Sequence, residues 1–155
     1  PGSFDPVTLG HIDIIARATG IFDKVIVLVM SNKSKKNSMF SIEERIDLLK
    51  RSIDFDNVEI DTYDGLLVDY AKEHGAIAIV KGLRAMSDFE YEFQQALTNR
   101  SLNPDVETVF LTTEGKNMYL SSSMVKEVCS LGGDINAFVP AAIADDIYKR
   151  CKGDA

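Results

Sequence analysis

Residues Lys24–Met30 read KVIVLVM, a short apolar run that is rich in β-branched side chains. A run of this kind favours a strand that is buried on both faces of a parallel sheet. Three more such runs follow, at 58–60, 76–80 and 106–111, and a helical pattern comes after each of them. Because strands alternate with helices, the sequence predicts right-handed βαβ units and an α/β fold with a doubly wound parallel sheet.

The segments between these strands carry signals for the ends of helices. Ser41–Glu44 and Ser87–Glu90 each place a Ser three residues before a Glu, which is the arrangement of a capping box. Pro140 suits the first turn of a last helix, and His74 is expected to bond the last carbonyls of its own helix. The predicted helices are 11–19, two that begin at Ser41 and Ser87, 66–74, 122–131 and 140–151.

The bulk properties of the chain restrict its function. Its 155 residues suit a single domain spanning 1–155, without repeats or linkers. The net charge of −7 argues against a general nucleic-acid binder, whose affinity comes largely from Lys and Arg. No apolar run of about 18 residues and no secretory signal is visible, so we expect no membrane association. The two cysteines are too few for a disulfide framework and favour the cytoplasm.

The chain opens with a loop that reads PGSFDPVTLGH, Pro1–His11. Two prolines and two glycines predict a shaped turn, and we expect the first strand of the sheet to lie directly before Pro1. His11 falls at the start of a helix, where free N–H groups and the helix dipole favour a phosphate. Ser3 can add a hydroxyl, and Gly10 lets a ligand approach the backbone closely. The alternative is a histidine that only caps its helix.

Three further segments carry cations or hydroxyls at the predicted edge of the sheet. The loop 31–37 (SNKSKKN) has three lysines, and the alternative reading is a solvated surface loop. Lys81–Arg84 (KGLR) follows the predicted strand 76–80 and suggests a phosphate clamp, although a charged turn would look similar. Ser121–Ser123 opens a helix and offers N–H and O–H donors to a phosphate, unless it serves only as an N-cap.

These segments together resemble one enzyme family. Thr8–His11 is similar to the (T/H)xGH signature of a nucleotidyltransferase superfamily with a Rossmann-like fold. Lys81–Phe93 (KGLRAMSDFEYEF) and Leu120–Glu127 (LSSSMVKE) resemble stretches of the bacterial phosphopantetheine adenylyltransferases, and four motifs occur in that family's order. Two departures stand out. Lys81 replaces the family's usual Arg, which loses a bidentate phosphate grip, and the loop has an extra residue at 37–38.

The resemblance implies transfer of the adenylyl group of ATP to 4′-phosphopantetheine, giving dephospho-coenzyme A and pyrophosphate. It implies catalytic roles for His11, Ser3 and Lys35, and Mg²⁺ that is carried chiefly by the ATP phosphates rather than by a protein metal site. Substrate binding is expected at Ser3, Lys35, Leu66, Leu67 and Lys81. ATP binding is expected at Ser3, Phe4, Gly10, His11, Gly82, Arg84, Asp88, Glu92, Leu120, Ser121, Ser122 and Ser123. Members of the family are typically homohexamers.

Two other functions remain open from the sequence. The first is another enzyme of the superfamily, either a nicotinamide mononucleotide adenylyltransferase or a cytidylyltransferase for a phospho-alcohol. The second is a catalytically silent nucleotide-binding module. The segments KGLRAMSDFEYEF and LSSSMVKE favour the pantetheine enzyme over the first, and intact His11, Lys35 and Arg84 argue against the second.

Overall fold

The computed structural model describes residues 1–30 and 38–153. Parallel strands alternate with helices along these ranges, which confirms the predicted α/β class. No helix in the described ranges combines the length and the apolar content that crossing a bilayer requires. The main elements are α1 (Leu9–Thr19), β1 (Val25–Met30), α2 (Ile42–Ser52), β2 (Val58–Tyr63), α3 (Leu67–Glu73), β3 (Ala78–Leu83), α4 (Met86–Leu102), β4 (Glu107–Thr112), α5 (Ser122–Ser130) and α6 (Ala144–Cys151).

The described strands form two parallel pairs. β1 pairs with β2, and β3 pairs with β4. Gly2 extends the first pair, because its N–H donates to Leu28 O over 3.0 Å and its carbonyl accepts from the Met30 N–H over 2.9 Å. The two described pairs lie on either side of a gap between β1 and β3. The expected strand before Pro1 lies outside the described residues and stays a prediction.

Several boundaries differ from the sequence-based prediction, among them the start of the last helix, which is Ala144 and not Pro140. Two further differences affect the site. β3 runs on to Leu83, because Lys81, Gly82 and Leu83 pair with β4, so the Lys-Gly-Leu segment is part of a strand and not a turn after one. The helix that was predicted to begin with a capping box at Ser87 begins at Met86, and its N-cap residue makes no side-chain cap bond. The prediction of a capping box at Ser87 was wrong, since the helix already begins before that residue.

Most of the core lies between the β1–β2 pair and the helices α1, α2, α5 and α6. Leu49, Val29 and Val125 are fully buried there. Burying one such side chain stabilises the fold by about 1.5–3 kcal/mol. A smaller cluster packs α3 against the second pair around Val68 and Ile79. This arrangement holds the loops at the carboxyl ends of the strands, where ligands bind in open α/β sheets.

Candidate active site

A cavity of about 990 Å³ opens at the carboxyl ends of the strands and continues into the gap between β1 and β3. It draws its lining from the 1–11 loop, the end of β3, the start of α4 and the start of α5. Every residue predicted to bind ATP lies along it. They are Ser3, Phe4, Gly10, His11, Gly82, Arg84, Asp88, Glu92, Leu120, Ser121, Ser122 and Ser123. Their roles in binding stay predictions.

A second cavity, of about 1010 Å³, lies beside the first. Leu66 and Leu67 line it, together with residues of α4. Ser3, Lys81 and Glu92 line both cavities and so mark the place where the two meet. The structure thus brings together four of the five residues predicted for the second substrate. The fifth, Lys35, lies outside the described residues, and its role stays a prediction.

His11 is held by a capping box of its own. The N-cap residue is Thr8, whose N–H donates to His11 Nδ1 over 3.0 Å while its hydroxyl accepts from the His11 N–H. Because an amide N–H can only donate, Nδ1 is the acceptor and the neutral ring carries its proton on Nε2. Burial lowers the pKa of His11 to about 4, and the nearby Arg84 charge adds to this effect. The histidine therefore caps its helix and also presents a neutral N–H donor.

The loop that carries His11 is strained and tightly packed. Phe4 has a φ of 46°, a left-handed conformation that non-glycine residues rarely adopt. Its buried ring meets the His11 ring edge-on, with 5.1 Å between the centroids. A Cβ at Gly2 would come within 2.9 Å of the Phe4 ring, so glycine is required there. Strain of this kind concentrates at functional sites, where surrounding contacts enforce it.

The two glycines predicted to admit a ligand differ in their surroundings. A Cβ at Gly82 would lie 2.9 Å from Ile14 Cγ1, so this glycine lets α1 pack closely against β3. A Cβ at Gly10 would meet nothing nearer than 3.6 Å, the distance to the Thr8 hydroxyl. The space at Gly82 is therefore filled by the protein itself, whereas the space at Gly10 remains open to a ligand.

Arg84 is fixed before any ligand arrives. Its Nε and Nη2 donate to the two carboxylate oxygens of Asp88 over 3.0 and 3.2 Å, and its Nη1 donates to Leu120 O over 2.8 Å. These three bonds use three of the five guanidinium N–H groups, which leaves two for a phosphate. They also connect the start of α4 to the residue before the serine segment. Asp88 therefore orients the guanidinium of Arg84 in this structure.

Lys81 forms an ion pair with Glu92 across the boundary of the two cavities. The Lys81 Nζ lies 3.0 Å from Glu92 Oε2, and both side chains are mostly buried. Glu92 Oε2 accepts no hydrogen bond among the described residues. The contact is an ion pair, because opposite charges attract each other at this distance even without a hydrogen bond. The carboxylate thus sits beside the cation predicted to hold a phosphate.

The serine segment begins α5 as predicted. The Ser121 hydroxyl accepts from the Met124 N–H over 3.1 Å, and the Ser122 hydroxyl donates to Pro6 O over 2.8 Å. Ser121 is thus a true N-cap, and Ser122 ties the helix to the first loop. The N–H groups of Ser122 and Ser123 stand in the first turn, where no carbonyl of the same helix can reach them. They are the donors that this helix offers to an anion.

Three charged residues behind these loops were not singled out from the sequence. Asp5, Arg45 and Lys126 join in one network, although Asp5 and Lys126 are 121 positions apart. Asp5 and Lys126 lie inside two of the quoted motifs, and this position was the one feature of the sequence that could have drawn attention to them. Nothing in the local spacing indicates that they meet, because the contact depends on the tertiary fold.

Comparisons with known proteins show which family the chain belongs to. Residues 1–128 match the cytidylyltransferase-like family. The phosphopantetheine adenylyltransferase of Caldanaerobacter subterraneus subsp. tengcongensis is 58% identical over 98% of this chain and 95% of its own. Those of Dictyoglomus thermophilum and Alkaliphilus metalliredigens are 57% and 56% identical, over 97% of this chain and 92% and 96% of their own.

A solved structure supports the fold. The crystal structure of a Vibrio parahaemolyticus protein, assigned as a nicotinate-nucleotide adenylyltransferase, superposes with a TM-score of 0.66 over 96% of this chain and 92% of its own. Its sequence identity of 18% speaks for the fold alone. The sequence relatives distinguish between the enzymes of the superfamily, since proteins at 51–58% identity carry one name. This chain belongs to the cytidylyltransferase-like family and, within it, to the phosphopantetheine adenylyltransferases.

Proposed function

We propose that this chain transfers the adenylyl group of MgATP to 4′-phosphopantetheine, giving dephospho-coenzyme A and pyrophosphate. The observation that carries the proposal is the meeting of two cavities at Ser3 and Lys81, one rich in phosphate donors and one lined by Leu66 and Leu67. The first suits a triphosphate and the second suits the extended arm of the acceptor. Their junction is where the acceptor phosphate would meet the α-phosphate.

The reaction needs no general base. A phosphate oxygen of 4′-phosphopantetheine, already ionised at neutral pH, attacks the α-phosphorus of ATP and forms the new P–O bond. The bond from that phosphorus to the oxygen bridging the α- and β-phosphates breaks, and its electron pair leaves on pyrophosphate. Catalysis then depends on positioning the reactants and neutralising the charge that develops.

In this proposal His11 stabilises the transition state. Its Nε2–H donates to a non-bridging oxygen of the α-phosphate as charge builds there. The bond from the Thr8 N–H to Nδ1 fixes both the ring orientation and the tautomer. Because the pKa of His11 is lowered to about 4, the free enzyme keeps this ring neutral through the physiological range. A fixed donor of this kind contributes roughly 10²–10³ in rate.

Arg84 and the serine helix hold the rest of the triphosphate. Arg84 has two N–H groups left after its bonds to Asp88 and Leu120, and it is already oriented when ATP arrives. The first N–H groups of α5, at Ser122 and Ser123, add a helix N-terminus to the same cavity. Donors that are fixed in advance lose little entropy on binding.

The acceptor phosphate would bind Lys81 at the junction, with Ser3 beside it. Lys35 is the second cation that the sequence predicts for this phosphate. Glu92 has to yield part of its hold on Lys81 when the phosphate binds. The arm of the acceptor would follow Leu66 and Leu67 along the second cavity.

Mg²⁺ enters with ATP in this proposal. Two of the carboxylates at the cavity are engaged by cations, Asp88 by Arg84 and Glu92 by Lys81. Among residues 1–30 and 38–153, no group of three His, Cys, Asp or Glu side chains is arranged to hold a metal. The ion would therefore be bound chiefly by the phosphates of its own nucleotide, as Mg²⁺ commonly is.

Assembly into a homohexamer and a cytoplasmic location complete the proposal. No residue of α4 whose side chain is described is buried, and Met86, Phe93 and Leu97 of that helix are all exposed. A helix with apolar side chains left exposed in this way is a natural contact between copies of the chain. Cys129 and Cys151 are free thiols, which suits a reducing compartment.

The test is pyrophosphate release from MgATP with one acceptor at a time. We expect release with 4′-phosphopantetheine and formation of dephospho-coenzyme A, and none above background with nicotinamide mononucleotide. CTP with a phospho-alcohol should also fail. Release with nicotinamide mononucleotide alone would assign the chain to the other adenylyltransferases. Nucleotide binding without release for any acceptor would indicate a silent module.

A further inference from the structure

Asp5 lies behind the catalytic loop and lines neither cavity, yet it contacts three other parts of the chain. The residue is 6% exposed. Its Oδ2 accepts from the Met39 N–H over 3.0 Å, and its Oδ1 accepts from the Phe40 N–H over 2.9 Å. Lys126 of α5 donates to Oδ2 over 2.9 Å. One carboxylate therefore joins the first loop, the residues that follow the lysine loop, and the helix that begins with Ser121–Ser123.

Arg45 of α2 completes the network from the opposite side. It is 4% exposed, and its Nε lies 3.6 Å from Asp5 Oδ1. The same Nε donates to Phe40 O over 2.8 Å, and Nη1 donates to Ser3 O over 3.2 Å. Arg45 thus binds carbonyls of the two segments that Asp5 also contacts. The two residues hold the first loop against residues 39–40 through both side chains and backbone.

The chemistry of Asp5 suits this role better than that of an amide. All three hydrogen-bond partners of the carboxylate are donors, so an Asn in its place would turn an NH₂ group towards another donor. Burial raises the pKa of Asp5, but the bonds from Lys126, Met39 and Phe40 outweigh burial and lower it overall. The ionised form is therefore the one that the surrounding structure selects.

We propose that Asp5, through its contact with Lys126, is a positioning residue that sets the distance between the His11 loop and the phosphate donors at the start of α5. The inference rests on the proposed function, because those donors matter only if a triphosphate binds between them. Asp5 acts through other residues and touches no substrate. Its loss should misplace donors that must converge on one nucleotide, and a displacement of about 1 Å can cost a hundredfold in rate.

The main test is Lys126→Met, which removes the charge and keeps the length of the side chain. We expect kcat to fall about tenfold or more, or the KM for ATP to rise by as much. The Kd for 4′-phosphopantetheine should change less than twofold, since the second cavity lies away from Lys126. Lys126→Arg, which keeps the cation, should recover most of the activity. The matched control is Lys116→Met, which breaks an exposed ion pair with Glu114. Lys116 lines neither cavity.

The outcomes separate the inference from a loss of folding and from the proposed function. A merely structural role would lower the active fraction and leave the KM values, and kcat per folded active site, unchanged, which overturns the inference. Equal kinetics in Lys126→Met and Lys116→Met would also overturn it. Asp5→Asn with Lys126→Met should be no worse than Asp5→Asn alone if the two act as a unit. Should the unaltered chain fail to transfer adenylyl groups at all, the proposed function is wrong, and the network explains only the stability of the loops.

Discussion

Replacing Glu92 by Gln should tighten the binding of 4′-phosphopantetheine in the absence of ATP. The Glu92 carboxylate lies 3.0 Å from Lys81 Nζ, and the two side chains are 21% and 18% exposed. In the unliganded chain it neutralises the cation that the acceptor phosphate needs. Gln has nearly the same shape and no charge, so the substitution frees Lys81 and leaves the packing in place.

The size of the effect follows from the geometry. A phosphate dianion that binds Lys81 from the cavity side would lie roughly 6 Å from the Glu92 carboxylate, given ordinary hydrogen-bond lengths. Two charges against one at that distance repel by about 1.4 kcal/mol even at the dielectric constant of water. This corresponds to about a tenfold change in Kd. The site is partly buried, so tenfold is the lower end of the expected gain.

Titration calorimetry with 4′-phosphopantetheine measures the gain directly. Glu107→Gln is the matched control, because it removes an exposed carboxylate from its pair with Arg100 and lies away from both cavities. An unchanged Kd in Glu92→Gln would show that the carboxylate and the phosphate do not compete. A weaker Kd would show that Glu92 instead holds Lys81 in its binding position, and either result refutes the argument.

Four further predictions concern the same cavities. His11→Ala should lower kcat at least about a hundredfold with a modest change in KM, while His74→Ala, whose ring bonds Tyr70 O, should leave kcat near normal; steady-state kinetics of the pair decides this. Lys81→Arg should tighten 4′-phosphopantetheine and leave ATP affinity alone, and calorimetry showing only the ATP affinity moving would contradict it. Gly82→Ala should lower Tm through its clash with α1, whereas Gly10→Ala should keep Tm and weaken ATP binding; the reverse pattern in thermal unfolding and nucleotide titration would exchange the roles of the two glycines. The pKa of His11 is lowered from 6.5 to about 4, so the unfolded chain binds more protons than the folded chain between these pH values. This ring should therefore lower the free energy of unfolding by up to roughly 3 kcal/mol as the pH falls from 6.5 to 4. Urea unfolding of His11→Gln should lack that part of the pH dependence, and an identical dependence in both proteins would disprove the prediction.

Local patterns were sufficient to predict most of the fold. The run Lys24–Met30 corresponds to β1, shorter by one residue, and the capping box at Ser41 was confirmed by bonds from both partners. The box at Ser87 failed because the same three-residue spacing also occurs inside a helix that starts earlier. The strand 76–80 was placed too early, since its pairing partner on β4, and not its own composition, decides where it ends.

The candidate site was predictable as a set of loops but not as a set of contacts. The sequence places His11, Arg84 and Ser121–Ser123 at the same edge of the sheet, and the structure has them along one cavity. The sequence does not indicate that Lys81 forms an ion pair with Glu92, because Lys81 lies on a strand and Glu92 on the next helix. Whether the two side chains meet depends on how that strand and helix pack. Buried ionic contacts of this kind arise from tertiary structure, which no local period encodes.

Lys81 stands inside a strand, so the direction of its side chain depends on the parity of its position. Successive side chains of a strand point to opposite faces, and a shift of one residue between β3 and β4 would send the ammonium to the wrong side. A change of chain length in the turn before Ala78 would leave this parity intact. Between Ala78 and Lys81, however, an insertion or deletion of an odd number of residues should abolish function even if every motif residue is kept. The length of this short interval is therefore constrained in the evolution of the enzyme.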